Sequence, residues 1–147
     1  MEQGQVYGED VEPGQEIPEV VKRVTPRQLV MWAAASGDFY EIHYDADYAR
    51  SVGLPGIVVH GALKHAFLGD LLHRWVAPGG RVVSFGCSYR ELDRPGELRC
   101  RGRVRGVRRE GTEHLVELEV WVEDAQGRVT TPGSAVVALP SRSGAEA

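Results

Sequence analysis

An aspartate, Asp38, and a histidine, His43, stand five residues apart just past an apolar run, in the stretch ASGDFYEIHYDADYA that covers residues 35–49. A second histidine, His60, precedes Gly61 at the head of another apolar run, HGALKHAFLGDLLHRW. A carboxylate and an imidazole brought together can hold one water between them. The carboxylate accepts a proton, and the imidazole gives or takes one near neutral pH. A helix starting at Gly61 offers backbone N–H groups and a partial positive charge, suited to a developing oxyanion. Glycine at that point leaves room for close approach by a ligand carbonyl. Together these groups suit addition of water to, or its loss from, a carbon chain conjugated to a carbonyl. The same residue types also have plainer readings, since Asp after a helix is commonly a local cap and a lone His is often a satisfied core side chain.

The elements around these residues decide whether they can meet. Five positions on a continuous helix lie well out of line, so the chain must break between Asp38 and His43. A strand is expected over residues 16–24. Thr25-Pro26 then reads as a helix start, Thr as N-cap and Pro at the first helical position. LVMWAAA supplies good helix formers, and Gly37 stands where a C-terminal glycine stops the helix. A short helix over residues 46–51 follows, closed by Gly53 and the turn Pro55-Gly56. From Gly61 to Trp75 the apolar residues cover far more than one stripe, the pattern of a helix buried along most of its length.

After Pro78-Gly79-Gly80 the hydrophobic period becomes two. Residues 81–92, 97–109, 114–123 and 128–139 read as four strands separated by turn chemistry, with short links that favour antiparallel neighbours. Residues 1–14 read as a loose arm or a short strand, and 141–147 as a frayed tail. The expected architecture is α+β: one domain, residues 1–147, with a curved antiparallel sheet wrapped round the 61–75 helix.

Composition narrows the function classes. A chain of 147 residues, 42% hydrophobic and 26% charged, has the material for one folded core. Its net charge of -4 argues against a nucleic-acid partner. No apolar stretch is long enough to span a bilayer, and MEQGQVYGED does not look like a signal peptide. Cys87 and Cys100 lack metal-ligand spacing and read as reduced thiols of a cytoplasmic protein. With no HExxH or CxxC pattern, no metal site is expected. GxGxxG, P-loop and GxSxG motifs are also missing, which disfavours nucleotide cofactors and serine hydrolysis.

The run SGDFYEIHYDADYA followed by GLPGIVVHGAL resembles the hydratase motif of MaoC-like dehydratases, the (R)-specific enoyl-CoA hydratase group with a hot-dog fold. That motif is approximately S-G-D-x-N-P-I-H-x-D, a short helix, G, then I-x-H-G-M. The resemblance is strong from about Val24 to Trp75. It implies a lyase that reversibly hydrates a trans-2-enoyl-CoA to the (R)-3-hydroxyacyl form. Asp38 and His43 would activate the water, and the Gly61 N–H would bind the thioester oxygen. No cofactor is implied, CoA being part of the substrate. Tyr40-Glu41 replaces the usual Asn-Pro, Ala62 replaces Met and leaves more room for a bulky acyl group, and Gly69 stands where some members carry Ser. The form D-F-x-[DE]-[IV]-H is similar to small hydratase subunits of acyl-CoA and steroid side-chain degradation. The implied partners are an acyl-CoA or acyl-carrier thioester and either a second copy or a paralogous MaoC-like chain. A thioesterase on the same fold and a non-catalytic subunit are the alternatives.

Several residues have two readings. Arg99, Arg101, Arg103 and Arg105 share one sheet face by period two, either as a solvated surface or as a site for CoA phosphates or an acidic partner. Arg99 and Arg101 are therefore candidate substrate contacts, as are Tyr40, His60 and Ala62. His60 reads more naturally as the residue that fixes the helix start. Lys64 is expected to pack its stem and reach solvent.

Overall fold

The computed structural model describes residues 4–142. Five strands form one sheet: β1 (Glu16–Val24), β2 (Arg81–Cys87), β3 (Gly96–Glu110), β4 (Glu113–Glu123) and β5 (Val129–Pro140). Their order is β1-β3-β4-β5-β2, with every neighbouring pair antiparallel. Helices α1 (Pro26–Ser36) and α2 (Ala46–Ser51) lie between β1 and the long α3 (Gly61–Val76). Among the described residues, no helix is long and apolar enough to cross a membrane.

Local chemistry sets the helix bounds. The Thr25 hydroxyl accepts the Gln28 N–H at 3.2 Å, and Pro26 occupies the first turn. Gly37 closes α1 with φ of 78° and donates its N–H to the Ala33 carbonyl, a left-handed position that glycine takes without a Cβ clash. On α3, Leu63, Phe67, Leu68, Leu71, Leu72 and Trp75 are buried against the sheet. Each such side chain contributes about 1.5–3 kcal/mol when fully buried. On β3, Leu98, Cys100, Gly102 and Val104 are buried while the alternate arginines reach outwards.

Three expectations from sequence are corrected. The four later strands are not one meander, because only β3, β4 and β5 are consecutive neighbours; β2 lies at the far edge beside β5. The strand over 81–92 ends at Cys87, and the chain then crosses the sheet end to reach β3. Turn residues announce a change of direction, not the strand on which the chain lands. The arm is not loose in the described residues 4–14. Val11 is buried in the core, and Gly14 donates to the Val104 carbonyl at 2.8 Å. Glu9 accepts hydrogen bonds from the Ser141 hydroxyl and the Arg142 N–H, and Arg142 pairs with Asp10. Both ends of the described chain are thereby clasped together. Residues 143–147 of the expected tail lie outside the described residues.

The third correction concerns Lys64, which does not reach solvent. Its side chain is 2% exposed, and the ammonium donates to Asp93 Oδ2 at 2.9 Å and to the Glu91 carbonyl at 3.0 Å. Asp93 also accepts the Thr130 hydroxyl at 2.5 Å, and its carbonyl accepts the Val59 N–H at 2.8 Å. A charge this deep is retained only when paired. Asp93 comes from the crossing segment, 29 residues further along the chain.

Candidate active site

After Gly37 the chain leaves α1 and tightens into a single 3-10 turn, Glu41–His43. The Ser36 hydroxyl accepts the Asp38 N–H at 3.2 Å, and Asp38 Oδ1 accepts the Tyr40 N–H at 3.3 Å. One carboxylate oxygen thus stabilises the turn and leaves Oδ2 to face inwards. The reversal brings His43 Nε2 to 3.8 Å from Asp38 Oδ2. The Val58 N–H bond to the Ile42 carbonyl, 3.0 Å, ties the turn to the strand-like chain entering α3.

Tautomer logic defines what the gap can hold. His43 Nδ1 lies 2.7 Å from the Val58 carbonyl. A carbonyl only accepts, so Nδ1 carries the hydrogen, and in the neutral ring Nε2 presents a lone pair. Two acceptors then face each other beyond direct hydrogen-bond reach. A water donating one hydrogen to each fits between them and keeps a lone pair free for attack.

His60 caps this arrangement from behind. Its ring is fully buried and stacks on His43 with centroids 3.7 Å apart and planes 19° from parallel. Nε2 donates to the Asp38 carbonyl at 3.2 Å, while Nδ1 is buried with no partner among the described residues. Burial, and then the neighbouring His43, lower the His60 pKa below its ordinary value, which favours the neutral ring. Ligand atoms of Asp38, His43 and His60 lie within 4.8 Å of one another. A shared cation needs lone pairs that converge on one point. Stacked rings aim theirs along nearly parallel planes, and two of the four ring nitrogens already donate to carbonyls, so a water suits the site better.

His60 is also the N-cap of α3, without a side-chain cap bond of its own. The first amides of the helix, at Gly61 and Ala62, have no acceptor one turn back, the kind of N–H group that can face an anion. Gly61 is needed for space: a Cβ built there would meet the Tyr89 ring at 2.7 Å. Tyr89 was not singled out from sequence, yet a signal exists. Phe85, Cys87 and Tyr89 share one side of the chain by period two, the first two half-buried and Tyr89 exposed past the end of β2. The sheet pairing persists there through Ser88 N–H to Pro132 O at 2.9 Å and Arg90 N–H to Thr130 O at 3.1 Å. Partial desolvation, and then the neighbouring Cys87, raise the Tyr89 phenol pKa above its ordinary value.

The other candidates fall into two groups. Tyr40 stands beside the pair, its ring edge-on to His43 at 6.3 Å and to Tyr48 at 6.1 Å, and Phe39 and Tyr44 extend the exposed aromatic rim. Ala62 lies exposed in the first turn of α3. Arg99 and Arg101 are not brought to this site. They occupy the outer sheet face, Arg99 paired with Glu19 at 2.9 Å and Arg101 with Glu16 at 3.1 Å. Period two places them opposite the helix, and acidic neighbours on β1 neutralise them there, which corrects their assignment as substrate contacts.

A sheet wrapped on a helix whose N-terminus faces a carboxylate–imidazole pair is the geometry of a hot-dog hydratase. Comparison with known proteins agrees: the MaoC like domain matches residues 9–126. The chain belongs to the MaoC-like hydratase/dehydratase family. Among solved structures, it is similar to an (R)-hydratase from A. caviae involved in PHA biosynthesis. The TM-score is 0.79 and the identity 25%, over 88% of this chain and 98% of that one. It is also similar in fold to a chain of the ChsH1–ChsH2 complex from Mycobacterium tuberculosis, with TM-score 0.76 and 20% identity over 87% and 98% of the two chains. A fatty acid synthase beta subunit, TOXC, from Cochliobolus carbonum is 38% identical over 66 residues. Those residues are 44% of this chain, and the match spans only 3% of that relative's length.

Proposed function

We propose that this chain catalyses reversible hydration of a trans-2-enoyl thioester to the (R)-3-hydroxyacyl thioester. The observation that carries the reading is the pair of inward acceptors, Asp38 Oδ2 and His43 Nε2, 3.8 Å apart beside the start of α3. Water held between them adds its oxygen to C3 of the enoyl group. One water proton passes to the Asp38–His43 pair, which returns a proton to C2, so that the sum is addition of H and OH across the double bond and the pair ends as it began. Negative charge collects on the thioester oxygen during addition, and the Gly61 N–H at the positive end of α3 stabilises it. The chemistry needs no metal or redox cofactor; CoA or a carrier protein enters as part of the substrate.

Asp38 is half-exposed, and beside it Phe39, Tyr40 and Tyr44 present a row of exposed aromatic rings. A second chain, identical or paralogous, laid over this rim would exclude water and complete the acyl passage. One structural neighbour, the ChsH1–ChsH2 complex, is an assembly of two named chains, which is in keeping with a partner chain here. A cytoplasmic setting suits the two free thiols.

Incubation with crotonyl-CoA separates hydration from thioester cleavage. Loss of enoyl absorbance without release of free thiol is expected, with the (R)-3-hydroxy product. Thiol release at the same rate would assign thioesterase chemistry instead. Gly61→Ala offers a second test. Its added methyl overlaps the Tyr89 ring and intrudes where the thioester oxygen approaches. Turnover is expected to fall at least about tenfold while thermal stability changes by less than about 1 kcal/mol, because alanine favours the helix by a similar amount. Unchanged kinetics would remove Gly61 from the oxyanion site.

A further inference from the structure

We propose that His60 is the positioning residue of the hydration site: its ring N–H holds the Asp38 main chain in place against the start of α3, and so sets where the carboxylate meets the water. The inference rests on the hydratase reading above and assigns His60 no contact with substrate. Asp38 needs such an anchor. It follows Gly37 with its φ of 78°, and its side chain is half-exposed. Its local ties run from its own N–H to the Ser36 hydroxyl, 3.2 Å, and from the Tyr40 N–H to Oδ1, 3.3 Å, each only two residues along the chain. Bonds of that reach shape a turn without fixing where the turn sits against another element. The bond from His60 Nε2–H to the Asp38 carbonyl, 3.2 Å, spans 22 residues and does fix it.

The anchor itself is rigid. His60 is fully buried, and its carbonyl accepts the Leu63 and Lys64 N–H groups of the first turn of α3, each at 3.2 Å. Its ring lies on His43 with centroids 3.7 Å apart, which fixes the ring plane and aims Nε2–H. One residue thus joins the carbonyl of Asp38, the imidazole of His43 and the helix start at Gly61. Packing does not account for a histidine at this point. Among the described residues Nδ1 is buried without a hydrogen-bond partner, and an unpaired buried polar atom lowers stability. An apolar ring of similar shape would fill the space without that loss. What it would lack is the donor on the other nitrogen.

The test pairs His60→Phe, which keeps a buried stacked ring and removes the donor, with His60→Gln, whose amide donates from near the Nε2 position. In His60→Phe, kcat for crotonyl-CoA is expected to fall about ten- to a hundredfold, the scale of a reacting group misplaced by about 1 Å. KM should stay within about threefold of wild type, and Tm should equal or exceed it. His60→Gln should regain at least about fivefold of the lost kcat. A residue that only packs would lose Tm and kcat together, and glutamine would restore neither. A kcat in His60→Phe within about twofold of wild type, or a loss that His60→Gln does not regain, therefore overturns the proposal. Should His60→Phe not fold, His60→Met, flexible enough to fill the same space, takes its place with the same expectations. Should wild type not hydrate crotonyl-CoA, the hydratase reading fails separately, and crystal structures decide the role of His60. A shift of the Asp38 carboxylate from His43 by about 1 Å or more in His60→Phe, absent in His60→Gln, sustains it. An unmoved carboxylate overturns it.

Discussion

Asn at position 38 is expected to lower hydration turnover by about 10²–10⁴-fold, the range contributed by a positioned acid–base group. Asparagine keeps the shape of the side chain and can still accept the Tyr40 N–H, so the turn survives. What changes is the face towards His43. The amide is a poor base, and its NH₂ can donate directly to the Nε2 lone pair, closing the 3.8 Å gap and displacing the water. His43→Gln should cost a comparable factor, since glutamine cannot relay a proton. The two losses should not add, because both groups act on one water. Thermal melts of Asp38→Asn should stay near wild type, given a half-exposed side chain. Enoyl absorbance of crotonyl-CoA measures the rate; near-normal turnover in either variant would strip that residue of its role.

The second large effect falls on stability. Lys64→Met retains an unbranched stem of similar size but leaves the Asp93 carboxylate, 1% exposed, without its cation. Breaking a buried pair in this way costs roughly 3–5 kcal/mol. Neutralising both partners, Lys64→Met with Asp93→Asn, should recover more than half of that loss, because an amide oxygen still accepts the Thr130 hydroxyl. Urea midpoints at constant slope measure both quantities. A single-variant loss below about 1 kcal/mol would mean that solvent reaches the pair. Asp93 also holds the Val59 N–H, so the single variant should loosen the chain just ahead of Gly61 and slow turnover as well.

The contrast between these two sites explains what was legible from sequence. Thr25, Pro26 and Gly37 carry their structural instruction within one helical turn, so α1 was legible to the residue. Gly61 and the apolar run behind it marked α3 in the same way. Asp38 and His43 were legible as a pair because the break between them is local. The His60-Gly61 start was legible as a helix head, but only the MaoC-like motif joined it to Asp38, since spacing alone does not. Lys64 was misjudged because its partner arrives from the crossing segment. Period two placed the β3 arginines on the outer face but could not show that β1 supplies glutamates opposite them. Nor could it show that β2 would land beside β5. Tyr89 and Arg90 take their meaning from that landing, so their contacts became visible only with the sheet order.

The clasp of Glu9 with Ser141 and Arg142 has an architectural consequence. It sits where Glu113 pairs with Pro140, whereas Asp93 and Arg90 meet β5 around Thr130, at the opposite end of that strand. The clasp therefore braces the end of β5 remote from the candidate site, and the two ends of that strand are held by separate networks.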